Sequence, residues 1–325
     1  MKSLLVIKIG AIGDVVLTLP ILQKVQDYDI TWVVGKSAKP LLEAAAVHRI
    51  IEVDEKALLE GSFFSKLREV GKVWKALFFR RFDLAITAHV DARYRWLTLF
   101  CFKRRHRFFT KKDKFPLGGL FHSYSYLRLA LGDSGAAGKL SWPMLNLPPK
   151  TLALKKPVVA FSPGGDFLDE GKRLRIWPLA NYLKCIELLQ EYDCECIVIG
   201  ASGDSVLKEY FAHKVALDLI GETTLLELLA ILKQCFCLVT HDGGPLHLAR
   251  LVGCKVCALF GPTSPYDFTC PGDEELVFWK GSSLSCSPCY KGKYFAKCFH
   301  QRCMKAITAE EVVQAIVQRW RLRSR

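Results

Sequence analysis

Short apolar runs alternate with amphipathic stretches along the first half of the chain. The apolar runs predict buried β-strands at residues 4–9, 31–34, 50–53 and 83–87. The stretches between them place apolar side chains at helical spacing and predict helices at residues 14–26, 40–46 and 62–79. Strands that alternate with helices in this way are typical of a parallel sheet covered by helices.

The same alternation restarts after a segment rich in Gly, Ala, Pro and Lys. That segment, residues 133–156, predicts a connection between two domains. Beyond it, strands are predicted at residues 158–162, 194–200 and 236–240, and helices at residues 181–192, 204–213 and 225–233. The pattern therefore predicts an α/β protein of two Rossmann-like domains, residues 1–150 and 151–325, whose parallel sheets face each other across a ligand cleft.

Composition narrows the class of protein. A chain of 325 residues, 50% of them hydrophobic, is long enough to bury the cores of two domains. Thirteen cysteines, an odd number, favour a reducing compartment over a disulfide framework. The formal net charge of +14 indicates an anionic partner, such as nucleic acid, a membrane surface or a phosphorylated substrate.

The N-terminus resembles the start of a signal sequence, but its pattern favours a buried first strand. Lys8 interrupts the apolar run, and no small-residue cleavage site follows it. No stretch of the sequence contains 18 consecutive uncharged apolar residues. We therefore predict neither a cleaved leader nor a transmembrane helix.

A turn at Asp242-Gly243-Gly244-Pro245 stands between a predicted strand and a predicted helix. The backbone N–H groups at the start of a helix are unpaired and lie at the positive end of the helix dipole, so this place suits an anionic group such as a phosphate. The loop that begins at Phe260, after the next strand, is expected to line the same crevice. The alternative is an ordinary α/β turn without a ligand.

A second glycine-containing turn, Gly10-Ala-Ile-Gly13-Asp14, follows the first strand and opens a helix. It lacks the third glycine of a dinucleotide-binding motif and the lysine of a P-loop. Asp14 has two interpretations. It is either a helix N-cap, worth about 1 kcal/mol, or a carboxylate at the edge of the domain that acts as general base for a hydroxyl nucleophile.

Three cations follow the strand that ends at Ser162. Lys172, Arg173 and Arg175 lie in the loop after Ser162-Pro-Gly-Gly165, just before a Trp-Pro helix start. Together they are suited to clamp a diphosphate and to neutralise the charge that builds on a departing phosphate. The alternative for each of them is a solvated loop cation.

Four cysteines near the C-terminus have the spacing C-x2-C-x8-C-x4-C. Cys286, Cys289, Cys298 and Cys303 are spaced as the ligands of a closed structural zinc site. The alternatives are free or redox-labile thiols and disulfides. Seven further cysteines lie on predicted strands and helices, where we expect them to be small core residues.

Taken together, these motifs resemble glycosyltransferase family 9, the ADP-heptose:lipopolysaccharide heptosyltransferases. The resemblance rests on Gly-x-x-Gly-Asp14 before an apolar Thr-Leu-Pro helix, on Ser162-Pro-Gly with a downstream basic-x-Trp-Pro, on Asp242-Gly-Gly-Pro-x-His247-Leu-Ala, and on Leu259-Phe-Gly-Pro-Thr. These motifs extend from residue 3 to about residue 311. The resemblance implies a GT-B fold, an N-terminal acceptor domain, a C-terminal nucleotide-sugar domain, and inverting transfer that requires no metal.

By motif position, the resemblance implies that Asp14 is the catalytic base and that Arg175 binds phosphate in place of the family's usual lysine. It implies a donor-binding turn and helix start formed by Asp242, Gly243, Gly244 and His247. His247, in the first helical turn, is either within reach of the phosphates or structural. Three departures together leave the identity of the sugar open: Arg175 replaces the usual Lys, Gly243 stands where Ser or Thr is common, and His241 stands where a small residue is usual.

The segment of residues 93–114 contains nine Lys or Arg, one acidic residue and interleaved aromatic residues. Nucleic-acid binding is disfavoured because no RNP, KH or helix-turn-helix pattern accompanies it. In an acceptor domain, the segment instead favours an anionic membrane surface and the phosphorylated core of a lipid-linked saccharide. We assign acceptor or anion binding to Gly10, Gly13, Arg93, Arg104 and Arg105, and the basic tail at residues 319–325 could add to the same surface.

The sequence thus predicts an enzyme that moves heptose from ADP-heptose to the inner core of lipopolysaccharide, with inversion and with Asp14 as base. It is expected to require no cofactor beyond a structural zinc ion, and to be cytoplasmic and peripheral at the inner membrane. No nucleic-acid partner is expected. The alternatives are the same fold with another nucleotide sugar or acceptor, and a non-catalytic protein that binds nucleotides or nucleic acid.

Overall fold

The computed structural model describes residues 1–114, 121–132, 140–165, 173–269, 275–290, 295 and 297–324. The chain divides into two compact units, Met1–Asn146 and Leu147–Arg325. Part of the predicted connection between domains, residues 133–139, lies outside the described residues.

The first unit contains the strands β1 (Lys2–Ile7), β2 (Tyr28–Gly35), β3 (Arg49–Val53), β4 (Arg81–Phe82), β5 (Leu84–Thr87), β6 (Phe102–Lys103) and β7 (His106–Phe108). Five of them form a sheet in the order β3-β2-β1-β5-β7, with every neighbouring pair parallel. The short strands β4 and β6 form a separate parallel pair. This strand order is that of a Rossmann-like half, in which the chain starts at the centre and crosses over to both sides.

Helices of the first unit connect these strands. They are α1 (Ile12–Thr18), α2 (Lys39–Ala44), α3 (Glu55–Glu60), α4 (Phe63–Leu77), α5 (Lys111–Lys114) and α6 (His122–Leu131), with 3₁₀ helices at Leu19–Gln23 and Ala92–Thr98. The side chain of Ser62 caps α4 by accepting from the backbone N–H of Ser65. Val73 and Leu77 of α4 are fully buried against the apolar core that includes Leu5 of β1, which fixes α4 on the sheet.

The second unit contains the strands β8 (Val158–Ser162), β9 (Glu195–Gly200), β10 (Leu217–Ile220), β11 (Cys237–His241), β12 (Lys255–Phe260) and β13 (Leu276–Trp279). They form one parallel sheet in the order β10-β9-β8-β11-β12-β13. Its helices are α7 (Leu179–Leu189), α8 (Lys208–Phe211), α9 (Leu225–Leu232), α10 (Gly244–Leu251), α11 (Arg302–Lys305) and α12 (Ala309–Trp320), with 3₁₀ helices at Ser202–Leu207, Pro265–Asp267 and Gly281–Ser283.

The core of the second unit lies between the sheet and the helices α7 and α12. Trp177 and Tyr182 are fully buried there, in edge-to-face contact with ring centroids 5.0 Å apart. The cysteines expected to be core residues are buried: Cys185, Cys194, Cys196, Cys235, Cys237, Cys254 and Cys257. Burial raises the pKa of Cys235 to about 12, so this thiol stays protonated and behaves as a small apolar side chain.

The predicted helix at residues 14–26 is wrong in extent. The α-helix ends at Thr18, and a 3₁₀ helix with Pro20 in its first turn continues the chain to Gln23. Proline has no N–H to donate to the preceding turn, so the α-helical hydrogen-bond pattern stops there. The predicted helix at 204–213 is likewise divided into a 3₁₀ helix and the short α8. Among the described helices, none is long and apolar enough to span a bilayer.

Candidate functional site

In each unit, the candidate residues follow the two central strands. The strand order reverses between β1 and β5 in the first unit, and between β8 and β11 in the second. In parallel α/β sheets, ligands bind outside the carboxyl ends of the strands at such a point. The residues that follow these four strands are therefore the candidate ligand-binding residues of each unit.

In the first unit, a buried lysine follows β1. The Nζ atom of Lys8 lies 3.1 Å from Oδ2 of Asp14 and donates to the carbonyl oxygen of Ala88 at 3.1 Å and to the hydroxyl of Tyr126 at 3.0 Å. The partners come from α1, from the residue after β5 and from α6. All three donors of the ammonium group thus have an acceptor, and the lysine holds three elements together.

The electrostatics of this cluster favour the charged lysine. Burial alone would lower the pKa of Lys8, but the Asp14 carboxylate and Tyr126 raise it above its usual value. Burial raises the pKa of Tyr126 to about 12, so its hydroxyl stays protonated. In the sequence, Lys8 is visible only as a break in an apolar run. A lysine at the end of a buried strand needs an anionic partner, and that was the available signal.

A neutral histidine supports the turn after β1. The Nε2 atom of His89 accepts a hydrogen bond from the backbone N–H of Ile9 at 2.9 Å, and its ring stacks on Tyr94. Burial first, and then the charge of Lys8, hold the pKa of His89 well below its usual value. Because a backbone N–H can only donate, Nε2 is unprotonated, and the ring positions the turn before Gly10.

Asp14 is not a helix N-cap. The N-cap of α1 is Ala11, and Asp14 lies in the first helical turn with its side chain directed to Lys8. The cap interpretation is therefore wrong, because the helix begins three residues earlier than that interpretation required. Its role as a base stays a prediction. A Cβ atom added at Gly10 would meet no other atom within 4 Å, so the backbone there borders open space. Gly13 lies within α1 itself.

In the second unit, the residues predicted to bind the donor meet at the ends of β8 and β11. A guanidinium nitrogen of Arg175 lies 3.6 Å from Oδ2 of Asp242, and the same oxygen accepts from the hydroxyl of Thr263 at 2.8 Å. Asp242 is buried, whereas Arg175 is partly exposed. Within the described residues, the Nε atom of Arg175 is buried and has no hydrogen-bond partner. A buried donor without an acceptor is costly, and a bound anion would satisfy it.

The predicted strand–turn–helix around Asp242 is confirmed. Gly243 is the N-cap of α10, and Gly244 is the first helical residue. Both glycines have room for a side chain: a Cβ at Gly244 would meet nothing within 4 Å, and one at Gly243 only atoms at 3.8 Å. The structure thus presents backbone N–H groups at an open helix start, as anion binding requires. Their role in donor binding stays a prediction.

His247 lies on the buried side of α10. Its Nδ1 atom is 3.3 Å from a guanidinium nitrogen of Arg250, and its ring centroid is 6.2 Å from that of Phe268. Arg250 in turn forms a buried ion pair with Glu275. These contacts favour the structural interpretation of His247, which steadies α10 behind the glycine turn.

Two further residues of this region were missed. The carboxylate of Asp204 accepts from the backbone N–H groups of Gly165 at 3.0 Å and of Ala201 at 2.9 Å. It holds the loop after β8 in place. His241, noted in the sequence only as a departure, is buried and lies 3.1 Å through Nδ1 from the hydroxyl of Tyr182.

The remaining predicted cations of the second unit divide into two. Lys172 lies outside the described residues. Arg173 is exposed, and its backbone carbonyl accepts from the side chain of Gln301. Within the described residues, Arg175 is the loop cation that contacts Asp242.

Several members of the basic segment 93–114 have partners within the first unit. Arg93 forms a bidentate pair with Asp91, and Arg107 donates to the carbonyl oxygens of Leu129 and Ala130 at the end of α6. Arg104 and Arg105 are exposed. Of the interleaved aromatic residues, Phe109 is buried, whereas three are exposed: Trp96, Phe100 and Phe102.

The predicted zinc site is not assembled. Among the described residues, no group of three or more His, Cys, Asp or Glu could hold a metal ion, although Cys286, Cys289, Cys298 and Cys303 are all described. Cys286 is exposed, and burial raises the pKa of Cys303, which disfavours the thiolate that zinc binds. Within the described part of the chain, no disulfide joins two cysteines.

The chain is similar in sequence to known glycosyltransferases. Residues 120–300 match the model of a family described as Glycosyltransferase family 9 (heptosyltransferase). The chain is 23% identical over 320 residues, 93% of each protein, to lipooligosaccharide heptosyltransferase 2 of Campylobacter jejuni. The match confirms the resemblance found in the motifs.

Solved structures show the same fold. The glycosyl transferase family 9 structure from Veillonella parvula aligns with a TM-score of 0.77 at 17% identity and covers 98% of this chain and 97% of that chain. The Escherichia coli heptosyltransferase WaaC with ADP-2-deoxy-2-fluoro heptose aligns with a TM-score of 0.71 at 19% identity, over 98% and 99% of the two chains. Together with the two parallel sheets, these likenesses confirm the predicted α/β fold of the GT-B class.

Proposed function

Because this chain belongs to glycosyltransferase family 9, we propose that it transfers heptose from ADP-heptose to the inner core of lipopolysaccharide. The acceptor is supported by relatives such as the lipooligosaccharide heptosyltransferase of Campylobacter jejuni, which matches almost the whole chain. The donor is supported by the Escherichia coli relative with an ADP-heptose analogue. The sequence prediction of a glycosyltransferase is confirmed by the family match, whereas the donor and acceptor belong to this proposal.

Asp14 is the general base of the proposed reaction, and the first unit binds the acceptor. The carboxylate of Asp14 accepts the proton of an acceptor hydroxyl while that oxygen attacks the anomeric carbon of the donor. The bond between the anomeric carbon and the diphosphate oxygen breaks, ADP leaves with the bond electrons, and the anomeric configuration inverts. General-base assistance of this kind contributes about 10²–10⁴-fold to a rate.

The observation that carries this assignment is the ion pair between the buried Lys8 and the partly exposed Asp14. A buried ammonium group with three acceptors restricts the carboxylate to one position. A carboxylate that only stabilised the helix would need no such partner. Lys8 is therefore a positioning residue, which acts on the reaction through Asp14.

In the second unit, Arg175 and the backbone N–H groups of Gly243 and Gly244 stabilise the departing ADP. Lys172, and less directly Arg173, would add positive charge to the same loop. Each such electrostatic contact is worth about 3 kcal/mol in a site that excludes water. Since protein cations and amides supply this stabilisation, we propose that transfer requires no metal ion.

We further propose that the enzyme is cytoplasmic and associates with the inner face of the membrane through the first unit. The support is an aromatic cluster of four exposed rings and the half-buried Trp74, in which the ring centroids of neighbouring members lie 4.3–6.2 Å apart. The exposed members are Phe78, Phe79, Phe100 and Phe102. The exposed cations Arg104 and Arg105 follow this cluster in sequence. Aromatic side chains at the depth of the lipid headgroups and cations near anionic lipids are the usual components of a peripheral membrane contact.

A transfer assay tests the donor and the acceptor. The purified protein is incubated with ADP-heptose, or with UDP- or CMP-sugars, and a heptose-deficient lipopolysaccharide core, and the product is detected by mass. Transfer from ADP-heptose alone is expected. Transfer from another nucleotide sugar would show that this sugar, and not ADP-heptose, is the donor. If no donor supported transfer, the proposed reaction would be rejected. In parallel, ADP should raise the melting temperature more than UDP, CMP or NAD do, and stabilisation by NAD without ADP would contradict the donor assignment.

A further inference from the structure

His241, the last residue of β11, makes an arrangement of hydrogen bonds that determines where its ring proton lies. Its Nδ1 atom is 3.1 Å from the hydroxyl oxygen of Tyr182, and the same hydroxyl is 3.2 Å from the carbonyl oxygen of Ser162. Both Tyr182 and Ser162 are buried, so no bulk water is available to change these partners.

The tyrosine hydroxyl has one proton, and the carbonyl oxygen of Ser162 can only accept. Tyr182 therefore donates to Ser162, and its oxygen accepts from His241. The proton of the neutral imidazole then lies on Nδ1, and Nε2 has a lone pair. The opposite tautomer would leave two oxygen lone pairs facing each other at 3.2 Å, an unsatisfied buried contact.

The ring stays neutral. Burial first, and then the charge of nearby Arg175, lower the pKa of His241 to about 3. At physiological pH, Nε2 is consequently an acceptor and not a donor.

The Nε2 atom lies beside the backbone of Gly165, in the loop after β8. A Cβ atom added at Gly165 would lie 3.3 Å from Nε2, which is closer than ordinary van der Waals contact, so any larger residue at this position would crowd Nε2. Within the described residues, Nε2 has no hydrogen-bond partner, and His241 is only 6% exposed. Nε2 is not one of the fully buried polar atoms that lack a partner, so its lone pair remains accessible to a ligand.

We propose that Nε2 of His241 is a specificity-determining acceptor that binds a hydroxyl group of the donor substrate. The inference rests on the proposed function, because that function places a nucleotide sugar beside Arg175 and Asp242. Among the residues that the structure describes, none accepts from the Nε–H of Arg175, and this donor suits a phosphate oxygen. The lone pair of His241, in contrast, repels such an oxygen. The two residues thus assign different parts of one ligand to different positions.

Two parts of a nucleotide sugar carry hydroxyl groups, the transferred sugar and the ribose. The chemistry at His241 is the same for both, and deoxygenated ligands distinguish them. ADP-sugars that each lack one hydroxyl of the transferred sugar test whether that sugar binds His241. 2′-Deoxy-ADP and 3′-deoxy-ADP test whether the ribose does.

The protein variants are chosen from the geometry of the side chains. In His241→Asn, the amide nitrogen is as many bonds from the backbone as Nδ1, so the contact with Tyr182 is kept while the Nε2 acceptor is lost. In His241→Gln, the amide oxygen is placed at the position of Nε2, and part of the acceptor function is restored. Inorganic pyrophosphate is the control ligand, because it has no hydroxyl and depends on Arg175.

Dissociation constants are measured by calorimetry for each ligand and each variant. In the unaltered protein, loss of the recognised hydroxyl should weaken binding about tenfold, the value of one buried hydrogen bond. In His241→Asn, the same pair of ligands should bind equally, His241→Gln should recover part of the difference, and pyrophosphate affinity should not change. The inference is overturned if no deoxygenated ligand is discriminated, if discrimination persists in His241→Asn, or if pyrophosphate affinity falls to the same extent.

These outcomes separate the inference from the proposed function. If ADP-heptose and ADP bind but discrimination does not depend on His241, only the inference fails. If neither binds the unaltered protein, the donor assignment fails and the inference fails with it. Nitrogen NMR of the labelled ring supplies a second measurement: the ligand-free protein should show Nδ1 protonated and Nε2 unprotonated, and the opposite tautomer would contradict the argument.

Discussion

Nζ of Lys8 and Oδ2 of Asp14 are 3.1 Å apart, although the lysine side chain is 3% exposed and the aspartate side chain is 45% exposed. The pair therefore connects the buried end of β1 to a carboxylate that solvent, and hence a substrate, can reach. Desolvation makes the lysine dependent on its partner, whereas the aspartate remains accessible.

Asp14→Asn should abolish transfer and also lower stability. Loss of the base should reduce the rate by about 10²–10⁴-fold, and loss of the partner of buried Lys8 should reduce the free energy of unfolding by about 3 kcal/mol. Transfer is measured by product mass and stability by urea denaturation. ADP affinity should stay unchanged, because the donor is assigned to the second unit.

The double variant Lys8→Met/Asp14→Asn separates the two effects. It replaces the buried charge by an apolar side chain of similar length, so stability should recover while transfer stays absent. Recovery of transfer together with stability would show that Asp14 is structural and not a base.

Arg175→Met should weaken the binding of ADP but not of adenosine. The loss of a charged hydrogen-bond donor costs about 2 kcal/mol, or about 30-fold in affinity. Arg175→Lys keeps the charge and should retain most of the affinity. Arg173→Met is the matched control, because Arg173 is an exposed cation two residues away. If Arg173→Met weakened ADP binding as much as Arg175→Met did, the assignment of the phosphate to Arg175 would be wrong.

Glycines in the second unit should differ in their tolerance of substitution. In Gly164→Ala, the new Cβ would lie 2.2 Å from Oδ2 of Asp204, the residue that holds this loop. We expect a loss of about 1–3 kcal/mol in stability, as for other overpacked sites. Gly243→Ser has space for its side chain and should melt at the temperature of the unaltered protein. A lower melting temperature for Gly243→Ser than for Gly164→Ala would contradict the packing described here.

The aromatic cluster and the neighbouring cations should determine binding to anionic vesicles. Arg104→Glu/Arg105→Glu should weaken binding at low salt by at least about 2 kcal/mol, or about 30-fold. Phe79→Asn should also weaken it without unfolding the protein, because Phe79 has a φ of 54° and asparagine tolerates that left-handed conformation. Binding is measured by vesicle sedimentation.

The control for the charge reversal is Lys155→Glu/Lys233→Glu, which changes two exposed cations of the second unit by the same amount. Equal loss of binding in both double variants would indicate a general effect of net charge and not a specific surface. Full retention of binding in all variants would reject the membrane contact.

The strands were predictable because a short apolar run bounded by turns is compatible with few secondary structures other than a buried strand. The run at 158–162 coincides with β8, and the strand predicted at 194–200 differs from β9 by one residue. The helix predicted at 14–26 was less predictable, since Pro20 is compatible with either a kinked helix or the observed 3₁₀ turn. β10 has mostly half-buried residues at the edge of its sheet and gives a weak apolar signal.

The candidate sites were predictable only as far as local motifs reach. The glycine turn before Asp242 is a local feature, and so is the position of Asp14 near a helix start. The partners of Lys8 are 6, 80 and 118 residues away along the chain, and Tyr182 is 59 residues from His241. Such contacts depend on how the helices pack on the sheet, so one sequence without its structure does not reveal them.

The neutral burial of His241 should make the second unit sensitive to acid. The pKa of His241 is about 3 in the folded state and about 6.5 in an unfolded chain. Between these values the unfolded state binds a proton that the folded state excludes, so stability is complete above the unfolded pKa and is lost as the pH falls below it. At about pH 5 the loss amounts to about 2 kcal/mol. The free energy of unfolding, measured by urea denaturation between about pH 7 and about pH 5, should therefore fall less in His241→Asn than in the unaltered protein. His106, whose pKa burial lowers to about 4, and His89 would account for the remaining dependence. Identical pH dependence in the two proteins would mean that His241 is not held neutral in the folded state.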